Sequence, residues 1–223
     1  MLRFFFLLIA LLLPLRPAVS DGHAVRINEI LTSNTCTNLE PESNNFVEWI
    51  ELYNAGEQPA DLTGLYLTDD LAQPARWRIT SDTPSGNVIA PKGYRLIWTD
   101  GLNQNGHANF KLDRDGEAVG LFDSNRNRID AVQFPAQQAD VSYGRQPDAG
   151  GDWVYFAEPT PGKANLTEGV PLARTAQPPE FSLAGGFHDR EIRVSLSSPA
   201  STAVIRFTTD GSIPSRVSSN YES

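Results

Sequence analysis

The chain has 223 residues, 40% hydrophobic and 20% charged, and its 27 acidic against 18 basic side chains give a net charge of −9. These proportions exclude collagen-like, coiled-coil and wholly disordered classes and leave room for one or two domains. They also disfavour a nucleic-acid binder, because neutralising phosphates takes clustered Lys and Arg, and no basic stretch opposes the acidic balance.

Residues 1–20 are a different material from the rest. Arg3 precedes the apolar run Phe4–Leu13, Pro14 ends it, and Ala18-Val19-Ser20 offers the small residues that a signal peptidase reads. The run is about half of the ~20 apolar residues that a spanning helix needs, so an export signal is expected, with no integral membrane segment after its removal. Removal would leave 16 basic and 27 acidic side chains, net −11, on a protein that is secreted or held in the cell envelope. Cys36 is the only cysteine, so no intrachain disulfide forms and stability comes from burial. It is expected to be a half-buried structural residue, and no role is assigned to it.

From Val25 onward short period-two apolar runs recur between turn signals, and no window has helical spacing, which predicts an all-β fold. The expected strands are Val25–Leu31, Phe46–Tyr53, Leu65–Asp69, Trp77–Thr80, Tyr94–Thr99, Ala108–Leu112, Ala118–Phe122, Arg128–Phe134 and Trp153–Phe156. Asn54-Ala55-Gly56, Asp100-Gly101, Asn105-Gly106 and Asp115-Gly116 supply turns that tolerate positive φ. Within Phe46–Tyr53 both faces are mostly apolar, as in the interior of a β-sandwich. Pro and Gly crowd residues 159–179, and 166–178 are expected to be a semi-rigid linker. Beyond it, Glu191–Leu196 and Ala203–Thr208 alternate again. A unit spanning only 179–223 is too short to close a sandwich unaided, so a truncated second β module is expected.

Several motifs, taken in order, carry a resemblance. Ile27-Asn28-Glu29-Ile30, Glu48-Trp49-Ile50-Glu51-Leu52-Tyr53-Asn54 and Asp61-Leu62-Thr63-Gly64-Leu65 come first, followed by Ala90-Pro91-Lys92-Gly93-Tyr94, Gly116-Glu117-Ala118-Val119-Gly120, Val141-Ser142-Tyr143-Gly144-Arg145 and Pro159-Thr160-Pro161-Gly162-Lys163-Ala164-Asn165. Over residues 21–165 this pattern resembles the bacterial lamin tail domain family, which implies an immunoglobulin-like β-sandwich, an accessory module on exported proteins and no shared catalytic residue. Thr208-Thr209-Asp210-Gly211-Ser212-Ile213-Pro214 resembles a turn of the chitobiase C-terminal-type module. In bacterial chains such a pair of modules is similar to those that precede a spore-coat-protein-H-type kinase domain, which would lie beyond Ser223.

Candidate chemistry is sparse. Asp123-Ser124-Asn125-Arg126-Asn127-Arg128 alternates oxygen ligands, but Arg128 stands where a calcium loop needs Gly, and a hairpin turn is expected instead. Asp113, Asp115 and Glu117 surround an Asp-Gly turn. Glu48 and Glu51, three apart on a strand, fall on opposite faces and cannot act together on one substrate unless a bulge intervenes. His23, His107 and His188 have no metal-ligand spacing, so no metal or cofactor is expected, and His107 is expected to cap backbone carbonyls. Asn165-Leu166-Thr167 fits a glycosylation sequon.

Trp49 and Trp98 lie in apolar strands and are assigned to the core, whereas the polar flanks of Trp77 and Trp153 suggest exposed rings for stacking sugars. Asp69 and Asp70, after a strand and before the loop that leads to Trp77, complete this candidate ligand site. The expectation is an exported, non-catalytic binding or scaffolding module for surface protein or carbohydrate. The alternative is the accessory region of a larger secreted enzyme, such as a kinase or hydrolase.

Overall fold

The computed structural model describes residues 22–81, 86–104, 106–169, 179–200, 203–211, 214 and 218–222. The expected export signal and residues 170–178 of the expected linker lie outside them. Eleven strands build the first unit: β1 (Val25–Leu31), β2 (Trp49–Asn54), β3 (Ala60–Asp61), β4 (Tyr66–Thr68), β5 (Trp77–Arg78), β6 (Val88–Ile89), β7 (Tyr94–Trp98), β8 (Gly116–Phe122), β9 (Arg128–Pro135), β10 (Ser142–Gln146) and β11 (Asp152–Phe156). One antiparallel sheet has the order β11-β10-β1-β2-β7, a second β5-β4-β8-β9, and β3 pairs with β6.

Alternation along each strand builds the interior. Val25, Ile27, Ile30, Ile50, Leu52 and Ile97 from the five-stranded sheet meet Leu67, Val119, Leu121, Val132 and Phe134 from the four-stranded one. Leu62, Leu65, Ile79 and Phe110 fill the space between, giving one continuous apolar core and an immunoglobulin-like β-sandwich. A second, smaller cluster of Leu31, Val47, Trp49 and Trp98 lies on the outer face of the larger sheet. Both faces of β2 are therefore buried, as its two apolar faces predict.

Three expectations change. Ala108–Leu112 forms no strand; only Lys111, bridged to Asp100, and Ala108, whose N–H donates to the Trp98 carbonyl, carry sheet-like pairing. Phe46 lies outside β2, bridged singly to Leu39. Conversely, β10 sits beside β1 in the middle of its sheet, although Ser-Tyr-Gly-Arg-Gln has no apolar alternation. The fit of β10 comes from the missing side chain of Gly144: a Cβ there would lie 2.9 Å from the Asn28 carbonyl oxygen and 3.0 Å from Glu29 Cγ and Phe156 Cε2.

Strand β1 carries a bulge. Ile27 pairs with Leu52 and Glu29 with Glu51, so Asn28 is the extra residue. The backbone groups that the bulge leaves unpaired are claimed by side chains of other strands. Ile27 N–H donates to Asp130 Oδ2 at 2.9 Å, and Arg145 Nε donates to the Ile27 carbonyl at 2.9 Å. Arg145 Nη2 also reaches both oxygens of Asp130, at 3.0 and 3.1 Å, tying β10 to β9 across the open side of the sandwich.

The described residues of 179–222 contribute two short antiparallel pairs: β12 (Glu180–Phe181) with β13 (Leu196–Ser197), and β14 (Arg206–Phe207) with β15 (Ser219–Asn220). The expected strands Glu191–Leu196 and Ala203–Thr208 are thus realised as two-residue fragments. Phe181, Phe187 and Val204 are exposed, and the two-residue strands described here offer little surface to bury them against.

Arg145→Leu is expected to cost about 1–3 kcal/mol in urea unfolding, because half-buried Asp130 loses its cation and the Ile27 carbonyl loses its donor while Asp130 keeps the N–H groups of Ile27 and Ala131. A surface substitution such as Arg128→Leu should change stability by less than about 0.5 kcal/mol.

Candidate functional site

The bulge turns Glu29 to the outer face of its sheet, directly opposite Glu51 on β2. Both side chains are fully buried. They are covered by the segment after β11, whose groups donate to them. Thr160 N–H reaches Glu29 Oε1 at 3.0 Å, Ser142 Oγ donates to the same oxygen, and Gly162 N–H reaches Glu51 Oε2 at 2.6 Å. Asn28 Nδ2 donates to Glu51 Oε1 at 3.0 Å and to Asp148 Oδ1 at 2.9 Å. Asn165 N–H also reaches Asp148 Oδ1 at 3.1 Å, and Tyr94 O–H donates to Asp148 Oδ2 at 2.7 Å.

The hydrogen bonds on this face fit a protonated Glu29. Asn165 Nδ2 faces two carbonyls, those of Arg145 at 2.7 Å and Asn28 at 3.4 Å, which fixes its amide orientation and leaves Oδ1 as an acceptor. The Thr160 hydroxyl lies 2.8 Å from that Oδ1 and 2.8 Å from Glu29 Oε2. One hydroxyl proton cannot serve two acceptors. The pattern closes when Glu29 is protonated and donates to Thr160, which donates to Asn165.

The electrostatics agree. Burial raises the pKa of Glu29 beyond what the hydrogen bonds from Ser142 and Thr160 offset. Burial, then the charge of Glu29, pushes Glu51 up to about 9 from an ordinary value of 4.5. Two acids directly opposite on neighbouring strands repel when both are charged, so the pair keeps a proton and titrates as a unit. Tyr94 is pushed up as well, by burial and then by its hydrogen bond to Asp148.

The residues expected to bind a ligand do not converge. Trp77 is only 5% exposed and packs in the central core against the other sheet, so it cannot stack on a sugar; its arginine neighbours mark the ends of a two-residue strand rather than an exposed ring. Trp153 is half-buried. Its ring stacks on Tyr143 at 5.3 Å, with the Arg145 guanidinium 4.8 Å from its centroid, so it is engaged within the fold. Asp69 pairs with Arg76 at 2.8 Å, while burial holds its carboxyl above the usual range. Asp70 accepts from Ala72 N–H and Gln73 Nε2, closing the turn after β4.

Other expectations resolve similarly. Asp123 accepts from the N–H groups of Asn125 and Asn127 and closes the β8–β9 hairpin in place of a calcium loop. Asp113 accepts from Asp115 N–H, and Glu117 from Asp113 N–H, so these acids hold their own turn. His107 does not cap carbonyls with its ring: Nδ1 lies 2.7 Å from Asp100 Oδ2, and Nε2 3.8 Å from Glu40 Oε1. Glu48 does not pair with Glu51; it sits half-buried on the opposite face. Cys36 is exposed rather than half-buried, its thiol 3.3 Å from Asp140 Oδ2. Asn165 of the sequon is 3% exposed with its amide bonded inward, which closes it to glycosylation in the folded state. Among the described residues no group of three His, Cys, Asp or Glu has a metal-binding arrangement, and no helix is long and apolar enough to cross a membrane.

One loop does present apolar side chains outward. Residues 33–47 are anchored by Asp140, which accepts from Thr35 N–H at 2.8 Å, from Cys36 N–H at 2.9 Å and from the hydroxyls of Thr35 and Thr37. Asn34 Nδ2 spans the loop base to the carbonyls of Asn38 and Val47, and Trp49 Nε1 donates to Asn38 Oδ1. On this rigid support the bridged pair Leu39 and Phe46 is 46% and 45% exposed.

The polar residues of this immunoglobulin-like sandwich are bonded into its own loops and edges. The Lamin Tail Domain family matches residues 18–136, just over half of the chain, and the chain belongs to that family. No curated protein and no solved structure matches it. Strands β10 and β11 and the segment over Glu29 and Glu51 lie beyond residue 136, yet complete the same sheet and its cover.

The acid pair contributes to the pH dependence of stability, in the same direction as the carboxyls of Asp69 and Glu117, which burial also raises. The folded state keeps a proton that the unfolded chain releases near pH 4.5, so this contribution is full below that value and is lost as the pH rises towards about 9. The carboxyls of Glu40, Asp123 and Asp140 are held low by hydrogen bonds from neighbouring backbone and side chains and titrate below this window. The urea midpoint is therefore expected to fall between pH 6 and pH 9, and to fall less in Glu29→Gln. A midpoint that rises over this interval would contradict the assignment.

Proposed function

We propose that the chain is an exported, non-catalytic binding or scaffolding module that engages a protein at the cell surface or in the envelope through the 33–47 loop. One observation carries this reading: Asp140, Asn34 and Trp49 are committed to holding rigid a loop whose outward residues are the apolar pair Leu39 and Phe46. A scaffolded loop that keeps hydrophobic side chains in water has the form of a recognition element. Protein is favoured over carbohydrate because Trp77 is buried and Trp153 is stacked within the fold. The absence of catalysis is supported by the way Asp69, Asp123, His107 and the Glu29–Glu51 pair are bonded into turns and sheet cover.

A second reading, the accessory region of a larger secreted enzyme, is favoured by the exposed apolar residues of 179–222. Phe181, Leu183, Ile192 and Val194 line an open apolar groove there, as expected of an incomplete β module, including one of the chitobiase C-terminal type.

The first reading predicts that the purified chain retains proteins from the surface fraction of its own cells and ignores glycan polymers. Leu39→Asp with Phe46→Asp should abolish that retention while leaving the urea midpoint within about 0.5 kcal/mol of the parent. Retention on glycans, or unchanged protein capture by the double variant, would count against it.

A further inference from the structure

The cover over Glu29 and Glu51 is built differently from the rest of the sandwich. Core packing does not hold it: Gly162 and Lys163 are exposed, Thr160 is half-exposed, and the segment has no strand pairing to the sheet. Its attachment consists of polar contacts, namely Thr160 and Gly162 to the two glutamates, and Asn165 to Asp148, Arg145 and Asn28. Two of these anchor points are acids that face each other across β1 and β2. Such an attachment is only as strong as the protonation state that lets the two acids coexist.

We propose that Glu29 and Glu51 form a proton-locked clasp, which keeps residues 159–165 on the outer sheet face while the pair shares a proton and releases them when both acids are ionised. This rests on the geometry of the clasp and does not depend on what the module binds.

The hydrogen-bond chain explains why the lock depends on a proton. Protonated Glu29 donates to Thr160 Oγ1, which donates to Asn165 Oδ1, and Asn165 is then oriented to bridge the Arg145 and Asn28 carbonyls. Removing the proton breaks this chain at its first link, since the hydroxyl can then satisfy only one of two acceptors. It also places two charges on one buried face. The groups facing the pair give no compensation: Asp148 beside Asn28 is an acid, Tyr94 from β7 spends its hydroxyl on Asp148, and Ser142 from β10 is neutral. Within the cover itself, Glu158 and Lys163 are exposed to water. Arg145 faces Asp130 on the other side of the sheet. The remaining escape from the repulsion is to admit water, and the element that can move aside without unpairing a strand is the cover.

Release would uncover the strip of outer sheet beneath residues 159–165 and leave the stretch that follows held to β10 only through Gln146, which bonds the Thr167 carbonyl and the Gly169 N–H. The clasp thus couples ambient alkalinity to how firmly the sandwich holds its own C-terminal extension.

Lys163 lies in the cover, and the only other lysines, Lys92 and Lys111, lie elsewhere in the sandwich, so a lysine-specific protease reads the clasp directly. Cleavage of the whole chain after Lys163, normalised to an unstructured peptide with the same Lys-Ala bond, is expected to rise about tenfold between pH 7 and pH 9.5, while cleavage after Lys111 stays flat. Glu29→Gln, whose amide can donate to Thr160 as the protonated acid does, should hold the segment shut across the range. A flat profile in the parent, an equal rise in Glu29→Gln, or a matching rise at Lys111 would overturn the proposal. If Glu29→Gln fails to fold, carbon-13 NMR of the glutamate carboxyls in the parent decides instead. A carboxyl titrating above pH 7 together with cleavage at Lys163 supports the clasp, and titration of all of them below pH 6 overturns it.

Discussion

The extra residue at Asn28 in β1 governs both sides of the larger sheet. A regular strand alternates without interruption, so residues two apart share a face. With one residue bulged out, Ile27 and Ile30 both point into the core although they are three apart, and Glu29 is turned outward opposite Glu51. The same bulge exposes the Ile27 N–H and carbonyl, which Asp130 and Arg145 take up. A local defect in one ladder is thereby converted into the tie that joins the two sheets.

The consequences divide by face. Inward, the bulge keeps the aliphatic row continuous and lets the sandwich close over a single core. Outward, it brings two acids together beneath a segment that must supply their hydrogen bonds. Buried polar groups are tolerated only when partnered, and here Ser142, Thr160, Gly162, Asn28 and Asn165 form a connected set that satisfies the two glutamates and Asp148. Residues from separate family motifs, Asn28-Glu29, Glu51, Gly144-Arg145 and Thr160 to Asn165, meet at this one place. Their spacing along the chain is the spacing of four segments that converge on the outer face of β1, β2 and β10.

This geometry also explains why a sugar site built on Trp77 fails. Polar neighbours on a short strand indicate which residues flank a ring, but not which side of the sheet it faces. Trp77 pairs with Leu67 and inherits that residue's inward orientation. Trp153 faces the same side as Tyr143 and Arg145, which occupy it. The exposed apolar groups are instead Leu39 and Phe46, in a loop held out by Asp140, a residue far away in the chain with a positive φ and no motif to mark it.

The sequence by itself determined the all-β class, the bounds of β1 and most of β7, β8, β9 and β11, and the burial of Trp49 and Trp98, because period-two alternation between turn residues is a local signal. Motif order also led to the lamin tail family without coordinates. Tertiary structure decided what depends on contacts between distant segments. Strand β10 was hidden because a glycine and polar residues fit there only against Asn28, Glu29 and Phe156. The partner of Glu51 was hidden because a bulge changes register by one residue and leaves no mark in the composition of Ile-Asn-Glu-Ile. Alternation reports which residues prefer to leave water; only the pairing of strands decides which charges must then share the same dry space.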